Sequence, residues 1–229
     1  MVPQFEHLAA TRRVILLDLP GQGGSDPAPA GFAFADCAAA IGGVLDATGI
    51  ELAVVCGHSF GGRLAVEVAA AYPGRIAGAA LLDPVLLFPA VVREGATMLA
   101  AALDSDGWRT ALENYFSALL SPFDPPEVRS KVLGELPEIP RVLAAQVMRA
   151  GMSGDGSEAL AQVRCPILVI RRHETPHDLQ RLHALQPEAW VGQVVGTGHW
   201  MTLSAPDQVN AMLDRFLESG VSASARSMV

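Results

Sequence analysis

The chain is short of positive charge: Lys and Arg number 16 against 24 Asp and Glu, a formal net charge of -8. Holding a phosphate backbone takes a basic face, so nucleic acid is excluded as an expected partner. Charged residues of both signs reach only 17% while hydrophobic ones make up 50%, which excludes a disordered or tail-like chain. Cysteine is scarce as well. Cys37, Cys56 and Cys165 are odd in number and far apart, a spacing that fits neither a disulfide framework nor a metal site. It points to buried thiols in a reducing compartment, and the expected location is cytoplasmic. No basic-then-apolar leader opens the sequence, and the longest apolar stretch, Ile76 to Val92, is broken by Asp83, Pro84 and Pro89. Neither a signal peptide nor a membrane span is expected. HExxH and CxxC do not occur, no Lys follows the glycines of GHSFGG, and GQGGSD lacks the third glycine of a dinucleotide loop. No metal and no cofactor is therefore expected. Internal repeats and low-complexity segments are also missing.

What is present is alternation. The 229 residues suffice for one sizeable domain with its own core. RRVILLDL (Arg12 to Leu19) is a β-branched run ended by the turn chemistry of PGQGGSDP. Phe34 to Thr48 reads as helix, Glu51 to Gly57 as strand, and Phe60 to Tyr72 as a helix stopped by Pro73 and Gly74. IAGAALLD (Ile76 to Asp83) and CPILVIRR (Cys165 to Arg172) are near-continuous apolar runs, the pattern of strands covered on both faces. Asp178 to Gln186 reads as helix, WVGQVVG as a last strand and Pro206 to Leu217 as a last helix. The pattern predicts an α/β fold, a mostly parallel sheet with helices on both faces. Pro84 to Gln162 interrupts it as a helix-like insert rich in Ala, Leu and Met.

Ligands of such sheets sit outside the carboxyl ends of the strands, which is where VVCGHSFGGRLAVEVAA, Val54 to Ala70, makes its turn. A serine on a very sharp strand-to-helix turn needs a strained backbone, and its neighbours two positions away come too close for side chains. Glycines at 57 and 61 are expected to remove that clash. The turn would hold the Ser59 hydroxyl above the sheet, with the N-terminus of the next helix aimed at any developing negative charge. A serine hydroxyl is a weak nucleophile and requires a base. Of six histidines, His7, His58, His173, His177, His183 and His199, only His199 in GTGHWMTLSAP follows a late strand closely enough to reach Ser59. His58 adjoins the serine, where side chains diverge, and is expected to shape the pocket.

DLPGQGGSD, GHSFGG, AYPGRIAGAALLDP and GTGHWMTLSAPDQVNAMLDRFL, in that order and spacing, resemble the α/β-hydrolase superfamily from about Gln4 to the end of the chain. The resemblance implies a core of residues 1–83 and 163–229 with 84–162 as a helical cap over the site. It also implies Ser59 as nucleophile, His199 as base and the Phe60 N–H as one oxyanion donor. The acid is left open. The usual loop after CPILVIRR reads RRHETPHD, with no Asp at the family's position. Asp83 in LLDP occupies the alternative place one strand earlier, Glu174 is the nearest substitute in the usual loop, and Asp178 comes behind both. An LLDP turn also occurs with its Asp only as a cap.

The beginning departs from the family. Met1 to Thr11 resembles the helix that follows the family's third strand, so the leading strands and the His-Gly turn that gives the second oxyanion N–H are missing. That strand would lie between RRVILLDL and ELAVVCG. Its loss leaves two edges unpaired, and either the two strands close up or the chain is a shortened form of a longer parent. The expected activity is hydrolysis of an ester or similar acyl bond in a small to medium hydrophobic substrate. Cap residues Trp108, Tyr115, Phe116, Leu119, Met148 and Met152 would line the pocket or simply pack the cap helices together. Two alternatives remain: non-hydrolytic chemistry on the same fold, such as C–C cleavage, lyase or cofactor-free oxygenase reactions, and a catalytically impaired or binding homologue.

Overall fold

A computed structural model describes residues 1–26, 33–152 and 154–221. The elements run α1 (Val2–Ala9), α2 (Phe34–Ala47), β1 (Ala53–His58), α3 (Phe60–Ala71), β2 (Ile76–Leu82), α4 (Ala90–Ala102), α5 (Trp108–Leu119) and α6 (Pro126–Glu135). They continue with α7 (Arg141–Met152), α8 (Ser157–Gln162), β3 (Ile167–Arg171), α9 (Leu179–Leu185), β4 (Trp190–Gln193), α10 (Met201–Ser204) and α11 (Pro206–Arg215), closing in a π-helical turn over Phe216–Val221. The four strands form one parallel sheet in the order β1-β2-β3-β4. Parallel neighbours need crossover connections, and helices fill each gap.

Why β2 reads as an unbroken apolar run is visible in its packing. Ala79 and Leu81 face a core shared with Cys37, Leu45, Leu64 and Val68 of α2 and α3. Ala80 and Leu82 point the other way, into Leu168, Ile170, Val209, Leu213 and Phe216. Successive strand residues point to opposite faces, so a strand covered on both must be apolar throughout. Leu81 and Leu82 are each 0% exposed, and each such burial stabilises the fold by about 2 kcal/mol. Between β2 and β3, Leu103, Leu112, Ala144 and Ala145 form a separate small core with Trp108, Phe116 and Met148 packed against it. Those three residues hold the inserted helices together. The side chain of Met152 lies outside the described residues.

The first predicted strand is not formed: Arg12 to Leu19 carries no ladder. A strand is defined by its neighbour, and among the described residues β1 pairs with β2 alone. A cleft of about 950 Å³ lies between residues 12–19 and the free edge of β1. The two segments do not close up, and Ile15, Leu16 and Leu17 stay 37%, 51% and 38% exposed. Of the cysteines, Cys37 and Cys165 are buried as the sequence leads one to expect, but Cys56 on β1 opens to this cleft. Helix α1 is anchored elsewhere. Gln4 Nε2 donates to the Thr202 carbonyl at 3.1 Å, and His7 Nε2 lies 2.8 Å from Asp214 Oδ2.

Candidate active site

Ser59 stands between β1 and α3 with φ 56° and ψ -116°, a left-handed conformation that costs a non-glycine residue about 1–3 kcal/mol. Its main chain is pinned from both sides. The Ser59 N–H donates to Leu82 O at 2.9 Å, while its carbonyl accepts from Gly62 N at 3.0 Å and Val85 N at 3.1 Å. The glycine pattern differs from the sequence expectation at one position. A Cβ at Gly57 would sit 2.0 Å from the Gly61 carbonyl oxygen, and one at Gly62 would meet Pro84 Cβ at 2.8 Å, but a Cβ at Gly61 meets nothing within 4 Å. Gly61 contributes its backbone to the close approach, so the positions that must lack a side chain are 57 and 62. Phe60 opens α3, which puts its N–H among those directed out of the helix end. Its ring stacks on Phe34 with centroids 4.6 Å apart.

His199 and Asp83 come together at the carboxyl edge of the sheet. His199 Nδ1 lies 2.6 Å from Asp83 Oδ2, and both residues are buried. Asp83 follows directly on β2, takes φ 40°, and is fixed by its N–H on Ile170 O at 2.7 Å. Arg172, just past β3, donates from Nη1 to the same Oδ2 at 3.2 Å. Burial alone would push the Asp83 carboxyl up. The His199 hydrogen bond and the charges of His199 and Arg172 outweigh it and hold the group well below the usual carboxylate range. Asp83 is therefore held as an anion facing His199 Nδ1. Ser59 and His199 share no hydrogen bond among the described residues; catalytic hydrogen bonds are often long in unliganded enzymes.

Several neighbours hold the histidine. His58 Nε2 bonds to the His199 carbonyl at 2.7 Å, with the two rings 4.5 Å apart. Burial first, then the proximity of His199, pushes the His58 pKa down to about 3, so this ring stays neutral. His177 stacks on Phe88 at 5.4 Å and its Nε2 reaches Pro84 O at 2.7 Å, supporting the turn after Asp83. Glu174 does not reach His199. Arg172 Nε donates to the Glu174 carbonyl at 2.9 Å, and the glutamate side chain stays exposed. Asp178 is spent on capping α9, accepting from Arg181 N at 2.9 Å. Sequence reasoning misses Arg172 and His177, whose partners lie 89 and 93 residues away.

Ser59 and Phe60 line one end of the β1 cleft. Among the described residues no three His, Cys, Asp or Glu side chains are grouped to hold a metal, and no helix is long and apolar enough to cross a membrane.

Comparison with known proteins bears on the family and the fold. The Cupriavidus necator protein named as the dihydrolipoyllysine-residue acetyltransferase component of an acetoin cleaving system is 43% identical over 81 residues, 35% of this chain. That match spans 22% of the relative's own length. An Azorhizobium caulinodans protein, named provisionally as the carbamate hydrolase RutD, is 29% identical over 226 residues, covering 92% of this chain and 83% of the relative. Among solved structures, the enol-lactonase from Burkholderia xenovorans superposes with a TM-score of 0.79 at 22% identity, covering 95% of this chain and 85% of that one. At that identity the likeness concerns the fold. A model of the alpha/beta hydrolase family matches residues 2–212, and with that match running from α1 into α11 this chain belongs to the alpha/beta hydrolase family.

Proposed function

We propose that the chain is a serine hydrolase that cleaves an ester or similar acyl bond in a small to medium hydrophobic substrate. The observation that carries this reading is the buried 2.6 Å contact between His199 Nδ1 and Asp83 Oδ2, placed at the same sheet edge as a serine held in a left-handed turn. With Nδ1 committed to Asp83, Nε2 is the ring nitrogen left to take the Ser59 proton. Ser59 then attacks the acyl carbon, and the Phe60 N–H at the start of α3 stabilises the oxyanion. His199 returns the proton to the leaving group, and water releases the acyl group by the same steps in reverse order. Helices α4 to α7 act as a cap. Burial disfavours ionisation of Tyr115 on α5, and the charges of Arg172 and Asp83 act on it.

The impaired or binding reading has one observation in its favour. Residues 12–19 carry no ladder and β1 has a free edge, so the part of the fold that gives a second oxyanion donor in the family is not formed among the described residues. Loss of one donor costs about a hundredfold to a thousandfold in turnover. Hydrolysis of p-nitrophenyl acetate and butyrate by the chain and by Ser59→Ala, with fluorophosphonate labelling of both, decides between the two. Turnover and labelling that vanish in Ser59→Ala support the hydrolase. A folded chain that neither turns over nor labels is a binder.

A further inference from the structure

The loop that carries His199 is held from two directions. Its carbonyl accepts from His58 at the end of β1. Its N–H donates at 2.9 Å to the carbonyl of Leu119, the last residue of α5 in the insert. Just beyond α5 lies Asp124, a carboxylate only 7% exposed. Its Oδ1 accepts from the Gly198 N–H at 3.0 Å and from Ser204 Oγ at 2.7 Å, and its Oδ2 accepts from the Ser121 N–H at 2.7 Å. Two of those three donors belong to the segment around the histidine, 74 and 80 residues away. The approach is so close that a Cβ at Gly198 would lie 2.5 Å from Asp124 Oδ2, 2.6 Å from Ser121 N and 2.7 Å from Leu119 O. Packing continues on the far side, where Phe116 and Trp200 rings sit 5.6 Å apart and Trp200 stands edge-on to His199 at 5.4 Å.

A buried carboxylate needs its lone pairs filled, and the donors that fill these are main-chain and hydroxyl groups with little freedom to move. The carboxylate thus ties the Gly198 backbone and the Ser204 hydroxyl, on either side of His199, to the insert. We propose that Asp124 is a positioning residue, fastening the insert to the histidine loop so that the His199 ring meets Asp83 and faces Ser59 only while the insert is seated. The proposal rests on the hydrolase reading above. Its consequence is that movement of the insert, which a substrate entering beneath it would require, also moves the base.

The test compares Asp124→Ala, Asp124→Asn and Ser204→Ala in kcat, KM and the far-downfield proton resonance of the His199–Asp83 hydrogen bond. Asp124→Ala removes all three bonds. Its kcat is expected to fall by about a hundredfold, the loss associated with a misplacement of about 1 Å, with KM little changed. A ring pulled off Asp83 loses its hydrogen-bonded partner, and the downfield resonance broadens. Asp124→Asn, which keeps an oxygen for Gly198 and Ser204 while spoiling only the Ser121 bond, restores most of kcat. Ser204→Ala falls between. A wild-type kcat and resonance in Asp124→Ala, whatever its melting temperature, overturns the proposal; so does an equal loss in Ala and Asn variants with the resonance intact. If Asp124→Ala does not fold, Asp124→Asn and Ser204→Ala decide by the same readouts. Should the unmodified chain show no turnover, the hydrolase reading fails, and the resonance comparison still decides the role of Asp124.

Discussion

Replacing Asp83 by Asn removes one charge from a carboxylate that is 3% exposed and shared by two donors. An asparagine can turn either its oxygen or its NH2 toward His199. Arg172 decides which, because its Nη1 lies 3.2 Å from the same Oδ2 that meets His199 Nδ1 at 2.6 Å. An NH2 placed there would face another donor, so the amide oxygen stays on His199. The tautomer with Nε2 ready for the Ser59 proton is kept, and the loss is one of charge. Opposite charges about 4 Å apart attract by about 4 kcal/mol at the effective dielectric of a partly shielded site. At 1.36 kcal/mol per tenfold, that is about a thousandfold in rate. A wrong tautomer costs closer to ten-thousandfold. Asp83→Asn should therefore fall near the smaller figure, and Asp83→Asn with Arg172→Met, which frees the amide to flip, should fall further toward the larger one. The assay is kcat/KM for p-nitrophenyl butyrate across pH, with a melting curve for each variant. Activity within tenfold of wild type for Asp83→Asn, or a double variant more active than the single, refutes the reasoning.

The two glycines of the turn should part company under substitution. Gly57→Ala forces a Cβ onto the Gly61 carbonyl and is expected to destabilise the fold by at least about 3 kcal/mol, whereas Gly61→Ala, with open space and a helical position, should be neutral or stabilising by up to about 1 kcal/mol; equal melting temperatures for the pair contradict this. His58 makes stability sensitive to acid. Its folded pKa of about 3 lies below the unfolded value of about 6.5, so the unfolded chain binds the proton first. The stabilisation is complete above about pH 6.5 and is lost progressively as pH falls toward 3. His58→Gln, which can still donate to the His199 carbonyl, should flatten the decline in melting temperature between about pH 7 and pH 5, and parallel declines in both proteins argue against the assignment.

The parallel sheet and its helices were legible because their signals are local. The apolar run of β2, the Pro-Gly stop after α3 and the glycine-serine turn each lie within a dozen residues. Arg12 to Leu19 has the same composition as the strands that form, yet a strand is a property of two segments, and no ladder partner stands beside this one. Composition alone cannot report that. The sequence left Asp83 and Glu174 both open as the acid. The structure separates them by reach: Asp83 sits at the end of a strand adjacent to β1, and Glu174 sits on a turn whose carbonyl is held while its side chain faces solvent. Asp124 and Arg172 gave no signal because their partners are brought to them by the crossover of the insert and the stacking of the sheet.

The free edge of β1 has a consequence for how the molecule breathes. Successive residues of a parallel strand direct their amide groups to opposite sides, and among the described residues β1 has a neighbour only on the β2 side, from Ala53 opposite Ile76 to His58 opposite Leu82. Alternate amides of β1 are therefore shielded from hydrogen exchange by β2, while those between them look into the cleft. Releasing this strand breaks one ladder, where releasing β2 breaks two. Ser59 follows what is an outer strand of the sheet among the described residues, so the lifetime of its turn is governed by the β1–β2 ladder and the packing of α3, ahead of the stability of the molecule as a whole.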